Sequence, residues 1–203
     1  MFPRLKYNSF TKTDITGLYE VIADGKIVYF YPKTGYIIVG DIYTKEGRNL
    51  TQERAMTERY KLLTPEDLKK AIKIGNGKNI VVEITDPDCP HCRRMHAYWN
   101  MRHDVTRYIF FKPLAIHPDS LKKATYILAS SDPEKALFEV YSGQLDGNRQ
   151  LLDKKYDDKG RLNEQKAVID KLRIDATPSY WINGKFVSGE NIPLIEKYIG
   201  KAK

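Results

Sequence analysis

The only two cysteines of this chain stand three residues apart, as Cys89 and Cys92, between a strand pattern and a helix pattern. The strand pattern is the apolar run Asn79–Thr85, and the helix pattern begins at Pro90. A helix N-terminus has unpaired N–H groups and the positive end of the helix dipole, so it favours a thiolate at Cys89. Cys92 lies one turn deeper on the same face and can close a disulfide with Cys89 or resolve a mixed disulfide formed there.

Metal binding is the alternative chemistry for these cysteines, because His91 and His96 stand beside them. A structural zinc site normally needs a second ligand pair, and the sequence has no third cysteine. A c-type haem is disfavoured because Arg93 stands where C-x-x-C-H needs histidine. A purely structural disulfide is disfavoured because so short a loop removes little entropy from the unfolded chain. We therefore predict a redox-active cysteine pair without metal or cofactor.

The two residues between the cysteines are predicted to tune the pair. Pro90 pre-forms the helix start and removes a competing N–H. His91 is expected within reach of the Cys89 sulfur, where a donor or a cation stabilises the thiolate and makes the disulfide a stronger oxidant. The alternative for His91 is an exposed residue of the first helical turn with no role.

Three further residues, Met95, His96 and Trp99, share the helical face of Cys92. An apolar and aromatic stripe at this spacing is more often core packing than catalytic machinery. His96 is therefore predicted to be structural.

Turn signals predict a small β domain over residues 1–50. Residues 18–43 contain three β-rich runs separated by Asp24-Gly25 and by a second turn ending at Gly35, which predicts an antiparallel meander. The run over residues 36–43 offers an unpaired edge that a second copy of the chain would satisfy, with Gly40 inside the strand as a point of close approach.

A helical linker is predicted over residues 51–75. Thr64 and Pro65 supply an N-cap and a first helical position, an apolar stripe follows over residues 68–72, and Gly75 ends the helix.

The remaining residues, 76–203, predict one catalytic domain. A strand, a helix and a second strand follow one another, which favours a βαβ unit with parallel pairing. A helical insertion is expected over residues 117–172, with breaks at Asp132-Pro133 and at 143–147. A hairpin turning at Asn183-Gly184 and a terminal helix complete the domain.

The CPHC string at residues 89–92, together with Thr177 and Pro178 opening a later strand, resembles the thioredoxin fold of bacterial thiol-disulfide oxidoreductases. The likeness extends to the disulfide isomerase group known as DsbC and DsbG, whose motif I-T-D-x-x-C-x-x-C-x-x-x-H is matched over residues 84–96. The resemblance implies a mixed α/β chain: a thioredoxin fold with a helical insertion, preceded by a cystatin-like antiparallel β dimerisation domain and a linker helix.

The resemblance also implies roles for individual residues. Cys89 and Cys92 would be catalytic, Pro178 would be cis and pack beside them, and the backbone of Thr177 would hold an extended substrate segment. Many thioredoxin-fold proteins carry a buried acid six residues before the first cysteine, where Glu83 stands, to move a proton at the second cysteine. Strand alternation leaves open the alternative that Glu83 faces solvent.

The implied partners are unfolded or misoxidised proteins, a redox partner protein that can be membrane-bound, and a second copy of the chain. The implied compartment is the bacterial periplasm, with a signal peptide absent from this sequence, and a cytoplasmic protein is the alternative. Three functions stay open: a disulfide isomerase, which the architecture favours; a DsbA-like oxidase, which the Pro-His dipeptide favours; and a non-enzymatic chaperone or peptide-binding dimer.

Composition excludes other classes of protein. The formal charge is +8, but Lys and Arg are spread among acids rather than clustered, so no nucleic-acid surface is predicted. Hydrophobic residues make up 41% of the chain, enough for a packed core. No apolar run reaches the roughly 18 residues that a membrane span needs.

Overall fold

Runs rich in aromatic and β-branched residues build an amino-terminal β-sheet in the computed structural model of the chain, which describes residues 7–23 and 26–201. The strands are β1 (Tyr7–Lys12), β2 (Tyr19–Ala23), β3 (Lys26–Tyr31) and β4 (Tyr36–Ile38). They pair antiparallel in the order β1-β2-β3-β4. The three-strand prediction is one strand short, because residues 7–12 form an additional strand along β2.

The predicted hairpin between β2 and β3 is confirmed by a register that runs from Tyr19↔Phe30 to Ala23↔Lys26. Its turn, Asp24-Gly25, lies outside the described residues. The longer edge strand predicted over residues 36–43 is wrong, because β4 ends at Ile38. Gly40 therefore lies beyond the strand, not inside it.

Helix α1 (Leu50–Arg59) follows the sheet. Within the unit that this sheet and helix form, the Tyr29 hydroxyl hydrogen-bonds the Thr51 hydroxyl at 2.5 Å. The Arg54 guanidinium donates to Glu20 at 2.9 Å. The buried apolar residues of the unit are Leu18, Val21, Ile22, Ala23, Tyr29 and Met56.

The predicted linker helix is wrong over its second half. A 3₁₀ helix (Tyr60–Leu62) leads to a short helix α2 (Pro65–Leu68), which has the predicted cap at Thr64. The chain then turns into strand β5 (Ile72–Ile74) instead of continuing as a helix to Gly75. The cause is long-range pairing, because Ile72 is buried and lies opposite Ile109 of a distant strand. The described residues divide into two units after Glu58, inside the predicted linker.

The second unit is a five-stranded sheet with helices. Its remaining strands are β6 (Asn79–Thr85), β7 (Val105–Phe111), β8 (Ser179–Ile182) and β9 (Lys185–Ser188), in the sheet order β5-β7-β6-β8-β9. Its longer helices are α3 (Pro90–Asn100), α4 (Ser120–Ala129), α5 (Pro133–Tyr141), α7 (Arg161–Leu172) and α8 (Ile192–Ile199), with a short α6 (Arg149–Leu152). Strands β6 and β7 are parallel and joined by α3, which confirms the predicted βαβ unit.

The helical insertion and the terminal hairpin also match the prediction. Asp132 caps α5 by accepting from the N–H of Lys135 at 3.0 Å, so the chain breaks there as expected. Asn183 and Gly184 connect β8 to β9, both with positive φ. Gly77, just before β6, allows the backbone to pass close to Asp104, because a Cβ at this position would lie 2.0 Å from the Asp104 carbonyl carbon.

Both cysteines belong to the buried core that the second unit forms with the insertion helices. Cys92 packs in a buried cluster with Ile109, Phe111, Ile127 and Leu137. A separate buried cluster joins α3 to β8 and α8. Among the described residues, no helix has both the length and the apolar character needed to cross a bilayer.

Candidate active site

Cys89 lies where the loop after β6 enters α3. It is the N-cap residue and Pro90 is in the first turn, so the helix starts where the sequence predicts. The Cys89 carbonyl accepts from the N–H of Arg93 at 3.1 Å, the first hydrogen bond of the helix. Cys89 is 4% exposed. Its thiol therefore lies at the helix end where N–H groups lack helical partners and the helix dipole is positive.

Cys92 is fully buried one turn further along α3. The backbone N–H of Asp86 donates to its sulfur at 3.4 Å. Burial raises the pKa of Cys92 far above its ordinary value, and the neighbouring Cys89 charge raises it further. The two thiols are therefore chemically unequal: Cys89 is placed to be the nucleophile, and Cys92 holds its proton.

A cis peptide bond joins Thr177 to Pro178, directly before β8. The Cys89 thiol donates to the Thr177 carbonyl at 3.9 Å, so the two segments that sequence analysis paired do lie together. The Pro178 carbonyl accepts a hydrogen bond from the N–H of Gly189 at 2.9 Å.

A groove of about 590 Å³ opens beside this proline. It is walled by the start of α3 and by the loop that joins β9 to α8. The lining residues are His91, Arg94, Thr177, Pro178, Ser188, Gly189, Glu190, Asn191 and Pro193. The site thus offers an open cleft next to a nucleophilic thiol.

His91 is exposed on the rim of the groove, with 62% of its side chain open to solvent. Its Nδ1 contacts a carboxylate oxygen of Glu190. The Arg94 guanidinium lies 2.8 Å from the same nitrogen. These polar contacts of His91 are with Glu190 and Arg94, not with the Cys89 sulfur that sequence analysis expected it to reach, so tuning by His91 stays a prediction.

Glu83 is completely buried in the centre of the sheet, so the solvent-facing alternative is wrong. Its Oε2 accepts from Nη2 of Arg107 at 2.7 Å and from Nε at 3.1 Å. Its Oε1 has no partner among the described residues. Arg107 is itself 3% exposed. The strand therefore encloses a charged pair with one unsatisfied carboxylate oxygen.

Two buried tyrosines lie close to both this pair and Cys92. The Tyr141 hydroxyl hydrogen-bonds Thr85 at 2.9 Å, and Tyr180 lies opposite Glu83 in the sheet register. Burial raises the pKa of both phenols well above their ordinary value, and the charges of Cys92 and Glu83 raise each further. Glu83 and Cys92 therefore share one low-dielectric neighbourhood.

His96 is buried against the ring of Tyr141, with 4.7 Å between ring centroids. Burial, together with the positive charge of Arg107, lowers the pKa of His96 to about 3. Its ring is neutral near pH 7 and packs in the core, as sequence analysis predicted. Met95 and Trp99 are buried along the same face of α3.

Asp86 belongs to the motif matched over residues 84–96. It holds the loop between β6 and α3 against the helical insertion. Its carboxylate is fully buried and accepts from four donors. These are the Asp88 N–H at 2.8 Å, the Leu114 N–H at 2.9 Å, His117 Nδ1 at 2.8 Å and the Ser120 hydroxyl at 2.6 Å. Since its own N–H contacts Cys92, Asp86 connects the thiol to α4.

A second ionic cluster supports the same loop. Arg93 donates to Asp146 at 2.5 Å and to Asp88 at 3.1 Å. Lys123, only 2% exposed, donates to Asp146 at 2.6 Å and also contacts Asp88. The hydrogen bond from Arg93 holds the pKa of Asp146 well below its ordinary value, and Lys123 lowers it further. Asp146 is therefore ionised near neutral pH.

The four side chains considered for zinc do not converge. His96 lies in the core against Tyr141, whereas His91 lies on the exposed rim. Throughout residues 7–23 and 26–201, no three His, Cys, Asp or Glu side chains are grouped so as to hold a metal ion.

Comparison with known families agrees with this geometry. Residues 1–52 match the family described as disulfide bond isomerase protein N-terminal domain, and residues 64–193 match the thioredoxin-like domain. The second match alone spans more than half of the chain. The chain belongs to the thioredoxin-like family. The predicted fold class and the predicted resemblance to the DsbC and DsbG group are confirmed.

Individual relatives of this thioredoxin-like chain carry related names. A probable thiol:disulfide interchange protein DsbC from Bordetella pertussis is 29% identical over 126 residues, covering 59% of this chain and 43% of that protein. The thiol:disulfide interchange protein DsbG of Pseudomonas aeruginosa is 26% identical over 129 residues, covering 57% of this chain and 48% of that protein. The chain therefore matches less than half of the length of either relative.

A solved structure supports the same family. The disulfide interchange protein from Neisseria gonorrhoeae is 30% identical and superposes with a TM-score of 0.53. The match covers 66% of this chain and 96% of that one.

Sequence analysis missed three features of this thioredoxin-like site. Arg107 is a charged residue within an otherwise apolar strand, as Glu83 is. This shared feature could have suggested that the two residues form an ion pair. Arg94 and Glu190 carry no such signal, because 96 positions separate them along the chain. The buried role of Asp86 was also missed, although the residue lies within the recognised motif.

Proposed function

We propose that this chain catalyses thiol–disulfide exchange on protein substrates and acts as a disulfide isomerase. The observation that carries the proposal is the Cys89 thiol at the N-terminus of α3, 3.9 Å from the Thr177 carbonyl and beside an open groove. A nucleophilic thiol, a resolving thiol and a backbone segment for an extended substrate are the parts that such exchange needs.

The reaction begins when the Cys89 thiolate attacks one sulfur of a substrate disulfide. A Cys89–substrate disulfide forms, and the other substrate sulfur leaves as a thiolate. In isomerisation a different substrate thiolate displaces Cys89, so the substrate disulfide is rearranged and no electrons are gained or lost. In net reduction Cys92 displaces the substrate, which leaves with two electrons while the Cys89–Cys92 disulfide forms.

The inequality of the two thiols favours isomerisation. Cys92 must lose its proton before it can attack, and burial opposes that loss. A slow resolving thiol gives the mixed disulfide time to rearrange within the substrate. The unpartnered Oε1 of Glu83, in the same buried neighbourhood, is the group proposed to accept the Cys92 proton when net reduction or oxidation occurs.

The groove defines how a substrate would lie. The Thr177 backbone would pair with an extended segment, and the groove next to Pro178 would take its side chains. Unfolded or misoxidised proteins present such segments, whereas folded proteins do not. We propose such chains as the substrates, with a redox partner protein to maintain the oxidation state of the pair.

A homodimer formed through the amino-terminal sheet is part of the proposal. The matched N-terminal family and the exposed apolar edge at β4 support it, since Tyr36 is 66% exposed and Ile38 is 49% exposed. We also propose a periplasmic setting, because protein disulfides form and persist in oxidising compartments. Fractionation of cells that naturally express the chain tests this setting, and recovery in the cytoplasm alone would contradict it.

The test of the activity compares wild type with Cys89→Ser and Cys92→Ser. Wild type is expected to reduce insulin and to refold scrambled ribonuclease, and Cys89→Ser to lose both activities. Cys92→Ser is the matched control, because it keeps the nucleophile and should accumulate mixed disulfides with substrate. Unchanged activity of Cys89→Ser in both assays would overturn the proposal.

A second comparison separates the isomerase from its alternatives. An oxidase would oxidise reduced ribonuclease faster than it rearranges the scrambled form. A chaperone without redox function would suppress aggregation equally well as the Cys89→Ser/Cys92→Ser protein. Either result, without isomerisation by wild type, would replace the proposed function.

A further inference from the structure

The rim of the active-site groove carries a three-residue charged cluster, His91, Arg94 and Glu190, which the proposed chemistry does not yet use. Two members come from α3, and Glu190 comes from the loop between β9 and α8. We infer that Glu190 is a positioning residue of the redox site. Its carboxylate holds His91 and Arg94 in one cluster and offsets the positive charge of Arg94, and this makes the Cys89–Cys92 disulfide a weaker oxidant than its Pro-His dipeptide alone would give.

The geometry of the cluster is that of a carboxylate held by two bases. Nε of Arg94 donates to both Glu190 oxygens, at 3.1 and 3.0 Å, and Nη2 donates to Oε1 at 2.6 Å. The same Oε1 contacts Nδ1 of His91. Nη2 of Arg94 lies 2.8 Å from the same nitrogen, so Glu190 and Arg94 together set the orientation of the ring. Glu190 therefore determines where the imidazole of the CPHC motif is held.

The charges of the cluster act on Cys89. Hydrogen bonding to Glu190 raises the pKa of Arg94, and the charge of Cys89 raises it further, so the guanidinium and the sulfur interact. The same Arg94 bond holds the pKa of Glu190 below its ordinary value, so the carboxylate is ionised near pH 7. A cation near the sulfur stabilises the thiolate, and a carboxylate bound to that cation opposes the stabilisation.

The effect on the redox equilibrium follows because only the reduced cysteine pair carries the negative charge of the Cys89 thiolate. On reduction, two glutathione thiols give up two electrons and two protons and become one glutathione disulfide. Cys92 takes up one proton, Cys89 is left as the thiolate, and the second proton passes to solvent. Anything that stabilises this thiolate stabilises the reduced pair and makes the disulfide a stronger oxidant. Glu190 works in the opposite direction. The Pro-His dipeptide typical of strong oxidants can thus be combined with isomerase-like architecture.

The inference rests on the proposed function and is tested by the equilibrium of the cysteine pair with glutathione. Full-length wild type and Glu190→Gln are equilibrated with mixtures of reduced and oxidised glutathione, and the oxidised fraction is read by alkylation and mass spectrometry. Glu190→Gln keeps the side-chain shape and removes the charge. We expect its equilibrium to shift about threefold toward the reduced pair, which is about 14 mV for this two-electron couple.

Three further proteins make the result specific. Glu164→Gln removes an exposed carboxylate from α7 and should leave the equilibrium unchanged. Glu190→Asp keeps the charge and should stay close to wild type. In a His91→Asn/Arg94→Gln background, Glu190→Gln should shift the equilibrium far less, because both side chains that Glu190 holds are gone. The shift should also shrink in about 1 M salt, where exposed charges are screened.

The outcomes separate the inference from the function it rests on. A wild-type protein with no glutathione-exchangeable cysteine pair would overturn the proposed function, and this is seen before any variant is made. A working wild type with an unshifted Glu190→Gln would overturn only the role of Glu190. Equal shifts in Glu190→Gln and Glu190→Asp, or a shift that persists in high salt, would also overturn it, because charge would not be the cause.

Discussion

The buried pair of Glu83 and Arg107 allows the sharpest test of how the second unit is held together. Glu83 is fully buried and Arg107 is 3% exposed, so both charges lie in the interior of the unit. Replacing Arg107 with Met keeps the volume and the apolar stem but leaves the Glu83 carboxylate without its cation. We expect a large loss of stability for this single change.

The magnitude follows from the contacts. Two hydrogen bonds, at 2.7 and 3.1 Å, reach the same carboxylate oxygen, and the other oxygen already lacks a partner. Removing one partner of a buried pair costs about 3 to 5 kcal/mol, because an uncompensated charge stays in a low-dielectric interior. Replacing both partners by apolar residues of similar size is often neutral, so Glu83→Met/Arg107→Met should recover most of the loss.

The assay is urea unfolding followed by tryptophan fluorescence. The chain has two tryptophans, Trp99 and Trp181, and both are buried in the second unit, so the signal reports that unit alone. Arg149→Met is the matched control: its guanidinium pairs with Asp119 but is 54% exposed, so its loss should cost less than about 1 kcal/mol.

Two results would refute this account. A loss below about 1 kcal/mol for Arg107→Met would mean that the Glu83 carboxylate is not charged and enclosed as described. A double variant as unstable as the sum of the two single variants would mean that the residues act independently.

Two further predictions follow from the buried histidine and from the exposed sheet edge. Burial lowers the pKa of His96 to about 3, so only the unfolded chain takes up this proton below about pH 6.5, and stability falls by about 1.4 kcal/mol per pH unit toward pH 3. His96→Leu should flatten this acid limb in urea unfolding at successive pH values; an unchanged slope would contradict it. Light scattering should give twice the 23.5 kDa chain mass for wild type and a shift toward monomer for Ile38→Lys on β4. Thr11→Lys on the opposite edge strand should remain dimeric, and a monomeric wild type would refute the dimer.

Local signals in the sequence were sufficient for the elements that contain the chemistry. Pro90 after Cys89 marked a helix start, Asp132-Pro133 marked a break, and Asn183-Gly184 marked a hairpin, and the structure has all three. Each depends on backbone preferences of neighbouring residues, which are the same in any surrounding. The placement of the cysteine pair at a strand-to-helix junction was predictable for the same reason.

Elements that depend on distant pairing were not predictable in this way. Residues 72–74 continue an apolar helical pattern in the sequence, yet they form β5 because Ile72 lies opposite Ile109. The edge strand over residues 36–43 was overextended, since β propensity alone does not say where pairing to β3 stops. Tertiary pairing decided both outcomes.

The sequence by itself determined which residues carry the chemistry of this chain, and only the tertiary structure decided how they are tuned. The C-x-x-C spacing and the helix start make Cys89 the proposed nucleophile wherever the helix is placed. Whether Glu83 faced water or the core depended on whether other elements cover its face of the sheet. The contact of His91 with Glu190 depended on a loop 99 positions away. Electrostatic effects depend on distance and burial, and those are properties of the folded chain rather than of any local segment.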